Sequence, residues 1–113
     1  MSAYCFFDNL EVTDPAKLEE YKSLVAPVVG EYGGRYIVVG GKMDIVEGDW
    51  QPTFPVILEF PSLEQAYGWY DSDVYRELKA LRLSAVRSNA VFIDGSEPLA
   101  TKKGVIVSFK TTP

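Results

Sequence analysis

The chain has 113 residues, a net charge of −5, and 47% hydrophobic and 24% charged content, which fits one ordinary globular domain. Its Lys and Arg residues do not cluster, so the basic footprint needed for nucleic acid or an anionic membrane surface is missing. There is no histidine and one cysteine, which excludes Ser-His-Asp and Cys-His catalysis, imidazole-bound zinc, histidine-held haem and an internal disulfide.

The opening MSAYCFF has no basic n-region and reaches Asp8 too early for a signal sequence. No apolar run approaches the roughly 20 residues of a membrane span, so a cytoplasmic location is expected. Residues 3–12, AYCFFDNLEV, predict an aromatic-rich strand in which Cys5 acts as a small hydrophobe. Asp14 and Pro15 predict a helix start, the first as cap and the second at the first helical position. Leu18, Tyr21, Val25, Val28 and Tyr32 follow at helical spacing. Pro27 predicts a kink, or an end to the regular helix near Ala26. Gly33 and Gly34 stop the helix, and residues 35–39 predict a β-branched strand. Gly40-Gly41 predicts a bulge or bend within that strand, with residues 43–46 as its continuation.

After a loop at 47–53, FPVILEF at 54–60 predicts the next strand. Ser62 with Gln65 reads as a capping box for a second helix, which Gly68 weakens and Ser72 restarts, running to about Val86. Residues 89–94 predict a short strand. The order βαββαβ is the ferredoxin-like unit, an α+β fold with an antiparallel sheet. It places one domain at 1–95 and a tail at 96–113, whose GVIVSFK at 104–110 predicts an extra C-terminal strand paired with a sheet edge, by preference a partner's. RNA-recognition domains share the strand order, but FPVILEF lacks their basic aromatic signature. No GxGxxG or GK[ST] phosphate loop is present.

On simple alternation, Phe54, Val56, Leu58 and Phe60 face the helices, while Ile37, Val39, Ile57, Val91 and Ile93 share the other face. A sheet apolar on both faces needs a second layer, and with few helices that layer is a second copy's sheet. A homodimer is therefore expected.

Several polar residues fall where hydrocarbon belongs. Arg82 lies inside the core arc defined by Val74, Tyr75, Leu78, Leu81 and Ala85. Arg35 shares a face with Ile37, and Glu59 shares one with Ile57. Asp8 and Asn9 occupy mid-strand, so one of them points inward. Buried charges require partners. For Arg82 these are Glu59, Asp8 or Glu47, or a ligand anion. Two readings stay open: a cavity where Arg35 and Arg82 hold a polar or anionic small molecule with Glu59 as base, and an internal Arg–Glu pair that fixes the fold or the dimer.

Aromatic residues form the second constellation. Tyr4, Tyr21, Tyr36, Tyr70, Tyr75, Trp50 and Trp69 either line a pocket, where a phenol donates to a developing enolate, or fill the core. Trp50, in the polar loop EGDWQPT, is expected against the other subunit or over the cavity mouth. Glu19-Glu20 and Glu47/Asp49 read as solvated charge. The candidate set is Glu59 as catalytic base and Arg35, Arg82, Tyr75, Tyr4, Asn9, Trp50 and Trp69 as ligand-binding groups, with no metal and no cofactor.

The stretch 31–75, EYGGRYIVVGGKMDIVEGDWQPTFPVILEFPSLEQAYGWYDSDVY, resembles the small bacterial proteins of the domain of unknown function 1330 family, and the likeness extends over roughly residues 3–95. The resemblance implies a dimeric α+β barrel and puts Arg35, Glu59 and Arg82 on the family's characteristic positions. That family has no agreed activity. Its wider superfamily includes cofactor-independent monooxygenases and lactone isomerases. The expectation is binding of a small organic molecule in the barrel, with cofactor-free isomerase, cyclase or monooxygenase-type chemistry. The alternative is a non-catalytic ligand-sensing or structural dimer module.

Overall fold

The computed structural model describes residues 2–95. Seven elements follow in the order β1 (Ala3–Val12), α1 (Pro15–Glu31), β2 (Arg35–Val39), β3 (Pro55–Phe60), α2 (Leu63–Tyr70), α3 (Asp73–Ala85) and β4 (Val86–Asp94). The strands form one antiparallel sheet ordered β2-β3-β1-β4, the ferredoxin-like arrangement. The predicted tail strand at 104–110 lies outside the described residues.

Alternation along β1 and β3 sets the faces. Ala3, Cys5 and Phe7 of β1 and Leu58 and Phe60 of β3 are buried under the helices. Tyr21, Val25 and Val29 recur every fourth residue on α1 and meet Ala66, Trp69 and Tyr75 in the same core. Asp14 caps α1 by accepting from the Lys17 amide at 3.2 Å. Helix α1 runs through Pro27 to Glu31, past the predicted break. Val29, beyond the proline, is buried, so packing on both sides of Pro27 holds the helix together. Gly33, at φ 82°, supplies the left-handed turn that releases the chain into β2.

Ser62 caps α2 through the Gln65 amide, and the Gln65 side chain donates to the Tyr32 carbonyl, tying α2 to the end of α1. Ser72 caps α3 as predicted. Strand β4 starts at Val86, three residues ahead of the sequence expectation, because it pairs with β1 as far as Val12.

The predicted continuation of β2 at residues 43–46 is absent. Gly40 donates to the Pro55 carbonyl at 2.7 Å, and β3 begins there, so the edge strand has no ladder to follow. The bulge sits earlier than Gly40-Gly41. Arg35 and Tyr36 face Glu59 and Leu58, but Val38 and Val39 face Ile57 and Val56. The extra residue, Ile37, moves Val39 from the open face, where alternation put it, to the helix side. Val91 and Ile93 do lie on the open face, opposite Phe6 and Tyr4. A second irregularity in β1 falls between Asn9 and Glu11. Among the described residues no helix is long and apolar enough to cross a membrane.

Candidate functional site

Between α1 and the helix-facing side of the sheet lies a cavity of about 730 Å³, within the range of small-molecule sites. Its walls are mainly hydrocarbon and aromatic, with Leu18 and Val25 from α1 and Val56 and Leu58 from β3. Phe7, Trp69, Tyr21 and Arg82 are among its buried members, whereas Val12, Val39 and Phe54 are exposed and form the lip. Both β-bulges deliver residues to that lip, Val39 from β2 and Glu11 from β1.

Arg82 is the one buried cation among the described residues, at 7% exposure. Its Nε donates to Tyr75 Oη at 3.2 Å and its Nη1 to Ser88 Oγ at 3.4 Å, and the guanidinium sits 5.0 Å from the centre of the Phe7 ring. It forms no ion pair with any described carboxylate. The positive charge is thus met by a phenol, a serine hydroxyl and a ring, and no anion among the described residues neutralises it.

Two of the carboxylates suggested for it, Asp8 and Glu59, are engaged elsewhere, and the third, Glu47, is exposed. Asp8 is buried and accepts from the amides of Thr53 and Phe54, each at 2.8 Å, which fixes the entry into β3 and the cavity lip. Glu59 pairs with Arg35, Oε1 lying 2.6 Å from Nη2, and receives Tyr4 Oη at 3.4 Å.

The phenols near Arg82 are strongly perturbed. Tyr21 and Tyr75 place their hydroxyl oxygens 2.8 Å apart. Burial pushes Tyr21 well above the ordinary phenol range and raises Tyr75, and Arg82 opposes the rise in each. Burial, then Tyr75, pushes Tyr36 up to about 12, again against Arg82. All three therefore stay protonated at neutral pH. Trp69 is packed between Phe60 and Tyr75, and its Nε1–H is buried with no acceptor among the described residues. A buried donor left unmatched is rare in folded proteins and calls for a water or a ligand.

The eight candidate positions divide between the two faces of the sheet. Asn9, Trp69 and Arg82 line the cavity, and Tyr75 stands behind its wall, joined to Arg82 and Tyr21. Arg35, Glu59, Tyr4 and Trp50 belong to the open face, so the constellation of Arg35, Glu59 and Arg82 around one molecule does not form within a protomer. Trp50 packs edge-on against Phe6 with ring centres 6.2 Å apart, on that open face and away from the cavity mouth. The Ser2 hydroxyl, then the Arg35 guanidinium, hold the Glu59 carboxyl below its usual range, which makes it a weaker base than a free carboxylate.

Val39 and Phe54 line the cavity without having been singled out for it in the sequence, whereas Tyr21 and Tyr36, two of the aromatics that could line a pocket, do line it. Tyr21 is foreshadowed by its place on the buried arc of α1. Val39 depends on a bulge that leaves no sequence mark.

A family model described as Domain of unknown function (DUF1330) matches residues 2–96. Among solved structures, a protein of unknown function from Rhodopseudomonas palustris is similar with a TM-score of 0.65 and 20% identity, over 86% of this chain and 84% of that one. A methylated form of that protein gives the same TM-score at 19% identity. A protein described as "Putative antibiotic biosynthesis monooxygenase from Nitrosomonas europaea" is similar with a TM-score of 0.52 and 14% identity, over 84% of this chain and 98% of that one. At such identities the shared property is the fold. No curated protein matches the chain in sequence.

Proposed function

This chain belongs to the DUF1330 family, whose description carries no activity, and from its cavity we propose that it binds a small organic molecule with a flat apolar body and one anionic oxygen group. The observation that carries this reading is Arg82, a buried cation on the cavity wall with no carboxylate beside it among the described residues. A single cation suits a monoanion, and the surrounding rings and hydrocarbon suit an apolar body. The deep residues are hydrogen-bond donors rather than bases. Any chemistry here stabilises negative charge on oxygen, as an enolisation or isomerisation requires, with the substrate or solvent supplying the base.

Calorimetric titration with naphthalene-2-carboxylate and with neutral 2-methylnaphthalene tests this reading. The wild type should prefer the carboxylate, and Arg82→Met should lose that preference. Equal affinity for both compounds in the wild type would refute it.

The assembly follows from the other face. Phe6, Ile57, Val91 and Ile93 share a surface that the three helices leave bare, and Trp50 lies over it. A second copy packed sheet to sheet would bury this surface and bring two Arg35–Glu59 pairs to the interface, a homodimer of the barrel type.

A further inference from the structure

We propose that the hydrogen bonds starting at Arg82 deliver a phenol proton into the cavity, through Tyr75 to Tyr21, and that the Trp69 indole N–H is a companion donor. The site would then read a conjugated oxyanion (a carboxylate, enolate or phenolate) and disfavour a group that must itself donate. This deepens the reading of the cavity above and rests on it.

The direction follows from what each group can do. A guanidinium has donors and no acceptor, so at the 3.2 Å contact Tyr75 Oη must accept from Arg82 Nε. Tyr75 is wholly buried, and its own proton has one acceptor within reach among the described residues, Tyr21 Oη at 2.8 Å. The reverse bond would leave the Tyr75 proton stranded in the core, the costlier arrangement.

Tyr21 therefore accepts from Tyr75, and its own proton is free. It lines the cavity, as does Tyr36, whose titration it influences. If Tyr21 gives its proton to Tyr36, the Tyr36 proton becomes the free one. Either way the series begins at a pure donor and ends with one O–H turned to the cavity. A cation at its head polarises the series and strengthens the last bond.

The buried Nε1–H of Trp69 points to the same conclusion independently. Trp69 lines the cavity, and its nitrogen finds no acceptor among the described residues. An oxygen anion satisfies both it and the phenol. A hydroxyl that has to donate finds no acceptor in Arg82 or Trp69, and in the phenol series only a neutral oxygen that already accepts one bond, a weaker partner than an anion finds in the same donors.

The test measures affinity ratios for naphthalene-2-carboxylate over 2-methylnaphthalene in the wild type and in Tyr75→Phe, Tyr21→Phe, Trp69→Phe and Arg82→Met. Tyr75 does not line the cavity, so a purely structural role would leave the ratio unchanged. The expected result is a fall in carboxylate affinity of about tenfold in Tyr75→Phe and Tyr21→Phe, the scale of a lost hydrogen bond to a charged group, with 2-methylnaphthalene unaffected. Trp69→Phe should behave likewise. If Arg82→Met abolishes the preference while Tyr75→Phe and Tyr21→Phe keep it, the series is refuted and the cavity reading stands. If the wild type shows no preference at all, both fail together. Should one Phe variant not fold, the ratio in the other decides.

Discussion

Replacing Arg82 with Met separates a ligand-binding cation from half of a structural ion pair. The substitution removes the 3.2 Å bond to Tyr75, the 3.4 Å bond to Ser88 and the contact with the Phe7 ring. A hydrogen bond from a charged donor contributes about 1.5–3 kcal/mol and a desolvated cation–π contact about 2 kcal/mol, so the loss is roughly 5–8 kcal/mol. Opposing it is the penalty of holding a guanidinium in the core without a carboxylate, several kcal/mol, which Met abolishes. Being of similar size the two largely offset each other, and for a domain of about 100 residues each 1 kcal/mol of net change shifts the melting temperature by about 4–8 °C. Breaking a buried ion pair would instead cost about 3–5 kcal/mol, because the partner carboxylate would be stranded. Thermal melts of ligand-free wild type and Arg82→Met, followed by circular dichroism, distinguish the two. A fall of about 15 °C or more would refute the reasoning and return Arg82 to a structural role.

Asp8→Ala should destabilise the fold by about 2–4 kcal/mol in urea titration, since the Thr53 and Phe54 amides both lose a charged acceptor, and Asp8→Asn should recover part of the loss. Light scattering after size exclusion should give about twice the 12.6 kDa chain mass, and Ile93→Lys on the open face should shift it to monomer; an unchanged mass would count against sheet-to-sheet assembly. Glu59 has a folded-state pKa below its free value, so its contribution to stability is present above the unfolded pKa and is lost as pH falls through the folded one. Urea midpoints compared at neutral and strongly acidic pH should therefore drop less in Glu59→Gln than in wild type, and equal drops would contradict the pairing with Ser2 and Arg35.

The fold was largely legible because its cues are local. Asp14, Ser62 and Ser72 mark the helix starts, and period-two hydrophobicity marks β1 and β3. Arg82 was also legible, as a charge on a helical core arc. What the sequence hid depends on register and on chain packing. Nothing in RYIVV says that Ile37 is the extra residue, so Val39 was placed on the wrong face. Pro27 breaks helices on average, yet Val29 is held by contacts distant in sequence. Arg35, Glu59 and Arg82 looked like one group because periodicity reports a shared apolar stripe and not which of the sheet's two faces carries it.

The bulges in β1 and β2 carry a further implication for how such a protein diversifies. They stand at different levels of the sheet, yet both feed the cavity lip, where the twist that a bulge adds bears on the opening beside α1. The width of the entrance is therefore written in strand length. Insertion or deletion of a single residue near Leu10 or Ile37 would trade which side chains guard the opening, while Phe6, Ile57 and Ile93 kept their places on the opposite surface. If the cavity holds a ligand and the open face a second copy, as proposed, the two can drift separately along one lineage, the first through changes in length and the second through changes in side chain.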